Sequence, residues 1–305
     1  MPQIAANGIT IEYESYGDDA APAMLLVMGL GAQLILWPMP LVEALVAHGY
    51  RVIRYDNRDV GLSTRMDAAG VPNLPITFMK RMIGITPRVP YTLSDMAADA
   101  AGLLDALGIP RAHIVGASMG GMIAQLFAAA WPERTLSLAS IMSTTGNPRL
   151  PRGSKEAMAV LTRRPDTADL DALVAHGMLT ASVLAGPAYP LDAAELEARV
   201  RENIARAHYP PGPARQLAAI IADGDRRQRL KPIITPTVVI HGVTDPLVPV
   251  EGGRDTAASI RGAELVEIAD MGHNLPLPLV PQVTDAIVRN ARRAEPVSFQ
   301  SVAAS

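Results

Sequence analysis

A serine flanked by glycines is the most informative feature of the sequence, in the stretch Gly116-Ala117-Ser118-Met119-Gly120-Gly121. It follows a short apolar run, Ala112–Val115, and precedes Met119–Ala130, which has helical periodicity. A strand, G-x-S-x-G and a helix in this order indicate a tight turn that holds the serine in strained backbone beside a helix N-terminus. Glycines at 116 and 120 leave room where a β-carbon would clash. This context predicts that Ser118 is a nucleophile.

A serine hydroxyl needs a base to take its proton, and the base needs an orienting group. In chains with this type of turn the order is serine, then aspartate or glutamate, then histidine. Asp245 comes soon after the apolar run Thr237–His241, and His273 follows the strand-like run that begins at Glu264. We therefore predict that His273 is the general base and acid and that Asp245 orients it. Asp270 is the rival carboxylate, which we interpret as a capping or turn residue.

The other five of the six histidines fit the role of base less well. His48 ends a helix-like run, and His176 and His208 fall in the middle of the chain. His113 lies inside the strand before Ser118, so we interpret it as structural. His241 ends a strand, and we interpret it as a hydrogen-bonded histidine near the site.

Two backbone hydrogen-bond donors for a substrate oxygen are expected. One is next to Ser118, and the second is in the loop Gly29–Gln33, which follows the apolar run Ala23–Met28. The backbone N–H groups of Leu30 and Met119 would converge on a substrate oxygen and form an oxyanion hole. Gly29 and Gly31 would permit a close approach. The alternative is an ordinary turn between a strand and a helix.

The elements that must position these residues alternate between strand-like and helix-like runs. We predict strands at Gln3–Ala6, Thr10–Tyr16, Ala23–Met28, Tyr50–Tyr55, Ala112–Val115, Leu136–Met142, Thr237–His241 and Glu264–Ile268. We predict helices at Pro40–His48, Leu93–Leu107 with Thr92 or Ser94 as N-cap, Met119–Ala130, Thr167–Thr180, Ala193–Ala207, Pro213–Ala222, Gly253–Ile260 and Val280–Arg292. This alternation predicts a mostly parallel sheet with helices on both faces.

The alternation of strand-like and helix-like runs stops between residues 143 and 229. There, helix-like runs are separated by proline and glycine, and no strand is predicted. We interpret residues 143–229 as a helical cap inserted into one α/β core, which comprises residues 1–142 and 230–294. An insertion after a strand's carboxyl end would lie over the ligand crevice. Residues 295–305 are predicted to be a disordered tail. The sequence does not decide whether the loop Ala68–Pro90 forms part of the site entrance or part of an interface.

Composition excludes several classes of protein. The 305 residues carry a formal net charge of −3 and only 4% aromatic residues, so a nucleic-acid partner is not expected. The absence of cysteine rules out disulfides, thiol nucleophiles and cysteine-ligated metals. No metal or organic cofactor is required by the predicted chemistry.

One uncharged stretch, residues 20–42, is long enough to span a bilayer. Gly29, Gly31, Pro38 and Pro40 interrupt it, so we interpret it as a buried strand followed by a turn. The chain start has no basic segment followed by an apolar run, so no signal peptide is predicted. We expect a cytoplasmic protein without an integral membrane segment.

With these features the sequence resembles the α/β-hydrolase superfamily outside the inserted segment. The stretch Asp56-Asn57-Arg58-Asp59-Val60-Gly61-Leu62-Ser63, together with Met28-Gly29-Leu30-Gly31-Ala32-Gln33, is similar to the group that contains aclacinomycin methylesterase. Many relatives have glycine where this chain has Asp59, and histidine where it has Met28. The resemblance implies structural roles for Arg58 and Asp59. It also implies acyl transfer by serine, histidine and aspartate without a cofactor.

The predicted function is hydrolysis of carboxylic esters with short to medium acyl or small alkyl groups. Carbon–carbon bond hydrolases and cofactor-free perhydrolases share the same three residues, and some members of the fold are non-catalytic receptors. Met178, Leu184 and Met271, with Gly29 and Gly31, are predicted to line an apolar substrate pocket. The alternative for the methionines is that they fill gaps in the core. The expected partner is a small ester; whether the chain forms a homo-oligomer is not readable from the sequence.

Overall fold

The structure is a computed structural model that describes residues 2–162, 169–190 and 192–294. Its sheet contains eight strands in this part of the chain. They are β1 (Gln3–Ala6), β2 (Ile9–Tyr16), β3 (Ala23–Val27), β4 (Arg51–Tyr55), β5 (Ala112–Ala117), β6 (Thr135–Ile141), β7 (Thr237–Gly242) and β8 (Glu264–Ile268). Their spatial order is β1-β2-β4-β3-β5-β6-β7-β8. β1 and β2 pair antiparallel with their neighbours, and the remaining pairs are parallel.

The central strands are apolar along their whole length because both faces of the sheet are covered. Every residue of β3, β5 and β7 is buried. Strands buried on both faces read as continuous apolar runs rather than as alternating ones. This explains why the short apolar runs Ala112–Val115, before Ser118, and Thr237–His241, before Asp245, could be predicted as strands.

Helices lie on both faces of the sheet. Those of the predicted core are α1 (Met39–Ala47), α3 (Leu93–Ala106), α4 (Met119–Ala130), α10 (Glu251–Ser259) and α11 (Val280–Arg292). The helices α3 and α4 contribute to one apolar cluster, whereas α1 and α11 contribute to a second cluster on the other face. The predicted N-cap Thr92 is confirmed, since it forms a reciprocal capping box with Asp95.

The described residues between β6 and β7 contain helices and no strand. These helices are α5 (Lys155–Thr162), α6 (Leu170–Leu184), α7 (Ala193–Arg206), α8 (Pro211–Asp223) and α9 (Arg227–Leu230). This content agrees with a helical insertion, and we keep the name cap for residues 143–229. The predicted helix Thr167–Thr180 instead runs from Leu170, after the N-cap Asp169, to Leu184; residues 167 and 168, like the predicted tail 295–305, lie outside the described residues.

The loop predicted at Ala68–Pro90 is wrong in part, because it contains helix α2 (Leu74–Met82). The Asn73 side chain accepts a hydrogen bond from the Ile76 amide and caps this helix. Its apolar residues are largely exposed, and it lies in a proline-rich stretch, which in a sequence favours a loop. The helices α5 and α9 were also missed.

Residues 20–42 do not form a membrane span. They form strand β3, a glycine turn, a short 3-10 helix at Leu34–Leu36 and the start of α1. Across the described ranges, no helix combines the length and the apolar character that crossing a bilayer demands.

Candidate active site

Ser118 occupies the turn between β5 and α4 with backbone angles φ 57° and ψ −120°. Positive φ is unfavourable for a residue with a β-carbon, and such strain is typical of functional turns. The turn is tight: a β-carbon on Gly116 would lie 2.1 Å from the Gly120 carbonyl oxygen, and one on Gly120 would lie 2.0 Å from that of Val27. The predicted reason for both glycines, lack of space, is therefore confirmed.

The structure brings Ser118, His273 and Asp245 together although they are far apart in sequence. Nε2 of His273 lies 2.9 Å from Oγ of Ser118, and Nδ1 lies 2.7 Å from Oδ2 of Asp245. Because an ionised carboxylate only accepts hydrogen bonds, the imidazole carries its proton on Nδ1. Nε2 is then an acceptor directed at the serine hydroxyl. This arrangement can remove the hydroxyl proton as the oxygen attacks an electrophile.

Asp245 is fixed by its own loop. Its Oδ1 accepts hydrogen bonds from the backbone amides of Leu247, at 2.9 Å, and Val248, at 2.8 Å. Its side chain has no exposed surface. One carboxylate oxygen is thus used to hold the loop, and the other is left for His273. The rival carboxylate Asp270 has a φ of 59° and turns the chain before the histidine, which agrees with its interpretation as a turn residue.

His241 lies closer to the site than the sequence indicated. Its Nε2 donates to the Val248 carbonyl at 2.8 Å and lies 3.6 Å from Oδ2 of Asp245. Burial lowers the pKa of His241, so the neutral ring is favoured beside the Asp245 carboxylate. The four-residue spacing between His241 and Asp245, around the end of a strand, is the signal that could have indicated this contact.

His113 has the structural environment that was predicted. Its ring is buried inside β5, its Nδ1 lies 2.8 Å from the hydroxyl of Ser137, and the ring of Tyr50 meets it edge-on. Burial lowers the pKa of His113 to about 4. It is therefore a neutral core residue at physiological pH.

The loop Gly29–Gln33 passes directly beside the nucleophile. A β-carbon on Gly29 would lie 3.2 Å from Cβ and 3.6 Å from Oγ of Ser118. Among the described residues the Leu30 amide has no hydrogen-bond acceptor. Met119 is the first residue of α4, where the amide has no acceptor within the helix. Both predicted donors therefore belong to backbone next to Ser118.

The predicted pocket residues have different environments. Met271 is fully buried in the apolar cluster around α1 and α11, so the alternative, that it fills the core, holds for this side chain. Leu184 and Met178 are half-buried on α6. The carbonyl of Leu184 accepts a hydrogen bond from the His273 amide at 2.7 Å, so α6 contacts the histidine loop through its backbone.

Arg58 and Asp59 lie in two separate buried ion pairs. The guanidinium of Arg58 contacts both carboxylate oxygens of Asp99 on α3, at 2.5 and 2.6 Å. Asp59 accepts two hydrogen bonds from Arg215 on α8, both at 2.8 Å. The second pair joins the core to the cap, which suits the structural role that the resemblance implies.

Several hydrogen bonds between the cap and the core beside the nucleophile were not found from the sequence. They involve Gln216 with Gly31, Gln33 with the carbonyls of Asn203 and Ala207, and Arg206 with both Gln33 and Asp56. A glutamine side chain belongs to no motif that would reveal its partner. Of the two glutamines, only Gln33 lies in a stretch that the sequence marked, Met28–Gln33. In the described ranges, no cluster of three or more histidine, aspartate or glutamate side chains could hold a metal ion.

The chain is similar to known hydrolases over most of its length. The family described as alpha/beta hydrolase fold matches residues 22–278. Rhodomycin D methylesterase of Streptomyces peucetius is 32% identical over 95% of this chain and 98% of its own. A 2-hydroxy-6-oxononadienedioate/2-hydroxy-6-oxononatrienedioate hydrolase of Paraburkholderia xenovorans is 31% identical over 76% of this chain and 73% of its own.

Solved structures show the same fold. An enol-lactonase from Burkholderia xenovorans has a TM-score of 0.69 and 26% identity, and the match covers 95% of this chain and 99% of that one. A meta-cleavage product hydrolase from Pseudomonas fluorescens has a TM-score of 0.76 at 21% identity, covering 97% and 98%. The chain belongs to the α/β-hydrolase family. The predicted fold, the predicted hydrolase class and the resemblance to the methylesterase group are confirmed.

Proposed function

We propose that the chain is a carboxylic ester hydrolase in which Ser118 is the nucleophile, His273 the general base and acid, and Asp245 the orienting group. The observation that carries the proposal is the continuous line of hydrogen bonds from Ser118 through His273 to Asp245. The methylesterase relatives support the same reaction class.

The reaction proceeds in two halves. Ser118 Oγ attacks the ester carbonyl carbon while Nε2 of His273 takes the hydroxyl proton, and the carbonyl electron pair moves onto oxygen. The tetrahedral intermediate collapses, the carbon–oxygen bond to the alcohol breaks, and His273 returns the proton to the alcohol. Water then attacks the acyl-enzyme with His273 as base, which releases the acid and restores Ser118. Asp245 stabilises the imidazolium formed in each half.

The negative charge on the substrate oxygen is assigned to the backbone N–H groups of Leu30 and Met119. Three features support this role: the position of Gly29 beside Ser118, the N-terminus of α4, and a Leu30 amide for which the described part of the chain offers no acceptor. A donor pre-oriented in a site of low dielectric is typically worth about 10²- to 10³-fold in kcat.

The substrates are expected to be esters with short to medium acyl groups or small alkyl groups, carried on apolar molecules. The half-buried Met178 and Leu184 on the cap would supply apolar contacts. Two rhodomycin D methylesterases among the relatives, each 32% identical, favour methyl esters within this class.

The test is hydrolysis of p-nitrophenyl acetate and butyrate by the purified wild-type protein and by Ser118→Ala. We expect turnover by the wild type and background hydrolysis by the variant. Equal rates for the two proteins would overturn the proposal. A chain-length series that includes a bulky methyl ester then defines the substrate class, and turnover of charged or peptide substrates alone would contradict the apolar assignment.

Carbon–carbon bond hydrolysis is a second candidate. The supporting observation is the 31% identity to the 2-hydroxy-6-oxononadienedioate/2-hydroxy-6-oxononatrienedioate hydrolase. Assaying a vinylogous 1,5-diketone acid beside the ester panel separates the two reactions. A kcat/KM for the diketone that exceeds that for every ester would favour this candidate.

A further inference from the structure

The side chain of Gln216 links the cap to the loop beside the nucleophile. Its Oε1 accepts the Gly31 N–H at 2.8 Å, and its Nε2 donates to the Arg58 carbonyl at 2.9 Å. Gln216 belongs to helix α8 and its side chain is fully buried. Both polar ends of a buried amide are therefore paired with core backbone, which is costly to disrupt.

Helix α8 also fits against Gly31 in shape. Gly31 has a φ of 65°, and a β-carbon there would lie 3.0 Å from Cγ of Pro213. The loop therefore has a conformation suited to glycine, packed against the first turn of α8. The hydrogen bond from Gln216 and the lack of space for a β-carbon therefore act at the same residue.

The far end of the loop is held by the neighbouring helix α7. Nε2 of Gln33 donates to the carbonyls of Asn203, at 2.6 Å, and Ala207, at 3.0 Å. Oε1 of Gln33 accepts from Arg206 at 2.6 Å. The cap thus contacts the loop at two points, and Gln216 is the one next to the expected oxyanion donor.

We propose that Gln216 is a positioning residue for the oxyanion hole. The Gly31 N–H belongs to the peptide unit that follows Leu30, so its bond to Gln216 restricts rotation of the Leu30 backbone. It also commits the Gly31 amide to the protein and leaves the Leu30 amide for the substrate oxygen. A glycine-flanked loop without this bond would sample other orientations, and the donor would no longer be pre-oriented for the developing charge.

This inference rests on the proposed ester hydrolysis and adds a prediction of its own. Gln216→Met keeps the approximate volume of the side chain and removes both hydrogen bonds. We expect kcat to fall by about 10- to 100-fold, with KM changed by less than about threefold, because the oxyanion exists only in the transition state. The affinity for a trifluoromethyl ketone, which forms a tetrahedral oxyanion on the serine, should fall by a similar factor.

Gln125→Met is the matched control. Gln125 is also buried and hydrogen-bonded at both ends of its amide, to Ser140 and to Arg226, and neither partner belongs to the Gly29–Gln33 loop. Thermal unfolding of both variants measures the general cost of removing a buried amide. We expect the loss of kcat and of inhibitor affinity in Gln216→Met only.

Gln216→Glu provides a rescue variant because its side chain keeps an oxygen that can accept the Gly31 N–H. We expect it to recover a measurable part of the kcat lost in Gln216→Met. Wild-type kcat in Gln216→Met, or equal losses in Gln216→Met and Gln125→Met, would overturn the inference. If Ser118→Ala is as active as the wild type, the proposed function itself is wrong, so the two failures are distinguishable.

Discussion

Oδ2 of Asp245 lies 2.7 Å from Nδ1 of His273, while Oδ1 of the same carboxylate accepts two backbone amides. In Asp245→Asn the carbonyl oxygen would take the place of Oδ1, because only an acceptor satisfies both amides. The NH₂ group would then face Nδ1 and force the proton onto Nε2, the wrong tautomer for accepting from Ser118. We expect kcat/KM to fall by roughly 10²- to 10⁴-fold without loss of fold.

The control for that variant is Asp270→Asn, at the rival carboxylate. Its positive φ is tolerated by asparagine, and Asp270 turns the loop rather than contacting the imidazole. Ester hydrolysis and circular dichroism of both variants are the measurements. A larger activity loss at Asp270 than at Asp245 would reverse the assignment.

The strained backbone at Ser118 is predicted to lower the stability of the protein. Both Ser118→Ala and Ser118→Gly lose the nucleophile, but only glycine tolerates a φ of 57° and a ψ of −120° without steric cost. We expect Ser118→Gly to be about 1 kcal/mol more stable than Ser118→Ala in urea unfolding, after the entropy that glycine adds to the unfolded chain. If Ser118→Gly is instead the less stable variant, by the entropy that glycine adds to the unfolded chain, the turn is not strained.

The ion pair of Asp59 with Arg215 is expected to hold α8 on the core. Both side chains are almost completely buried, at 0% and 1% exposure. Removing either partner leaves a buried charge without its counterion, so Arg215→Met and Asp59→Gly should each lower the free energy of unfolding by about 3 kcal/mol. The relief of positive φ at residue 59 should make the glycine variant the milder of the two.

A double-mutant cycle checks this ion pair. The double variant Asp59→Gly, Arg215→Met removes both charges and should cost about 2 kcal/mol less than the sum of the single changes. Urea unfolding of the four proteins gives the coupling free energy. Strict additivity would mean that the two side chains do not stabilise each other.

His113 predicts a loss of stability in acid. Burial lowers the pKa of His113 to about 4, whereas an unfolded histidine titrates near 6.5, so between these values the unfolded state binds a proton that the native state does not. Stability is therefore lost as the pH falls from about 6.5 towards 4. By pH 5 the loss from this residue is about 2 kcal/mol.

His113→Gln tests that prediction. The free energy of unfolding, measured in urea at pH 7.5 and pH 5, should fall by less between the two pH values in the variant than in the wild type. The variant's lower stability at pH 7.5 cancels in this comparison. An identical difference in both proteins would exclude His113 as a source of acid sensitivity.

Local patterns predicted most of the elements because their causes are local. The apolar runs of β3, β5 and β7 and the capping box at Thr92 can be read within a few residues. Helix α2 was missed because the prolines in and around it, at positions 72, 75, 87 and 90, favour a loop in a sequence pattern. Met271 was assigned to the pocket because it is close to His273 in sequence. That closeness does not indicate the direction of its side chain, which is buried in the apolar cluster around α1 and α11.

The sequence by itself determined which side chain is the candidate nucleophile, since a tight turn between a buried strand and a helix is the setting in which G-x-S-x-G presents a reactive hydroxyl. The order of the later residues indicated His273 and Asp245. Tertiary structure decided which groups complete the site: His273 meets Ser118 across 155 residues, and Gln216 meets Gly31 across 185. The first contact depends on the order of the strands within the core, and the second on how the cap packs on the core. Glutamine carries no periodicity or turn preference that would reveal its partner.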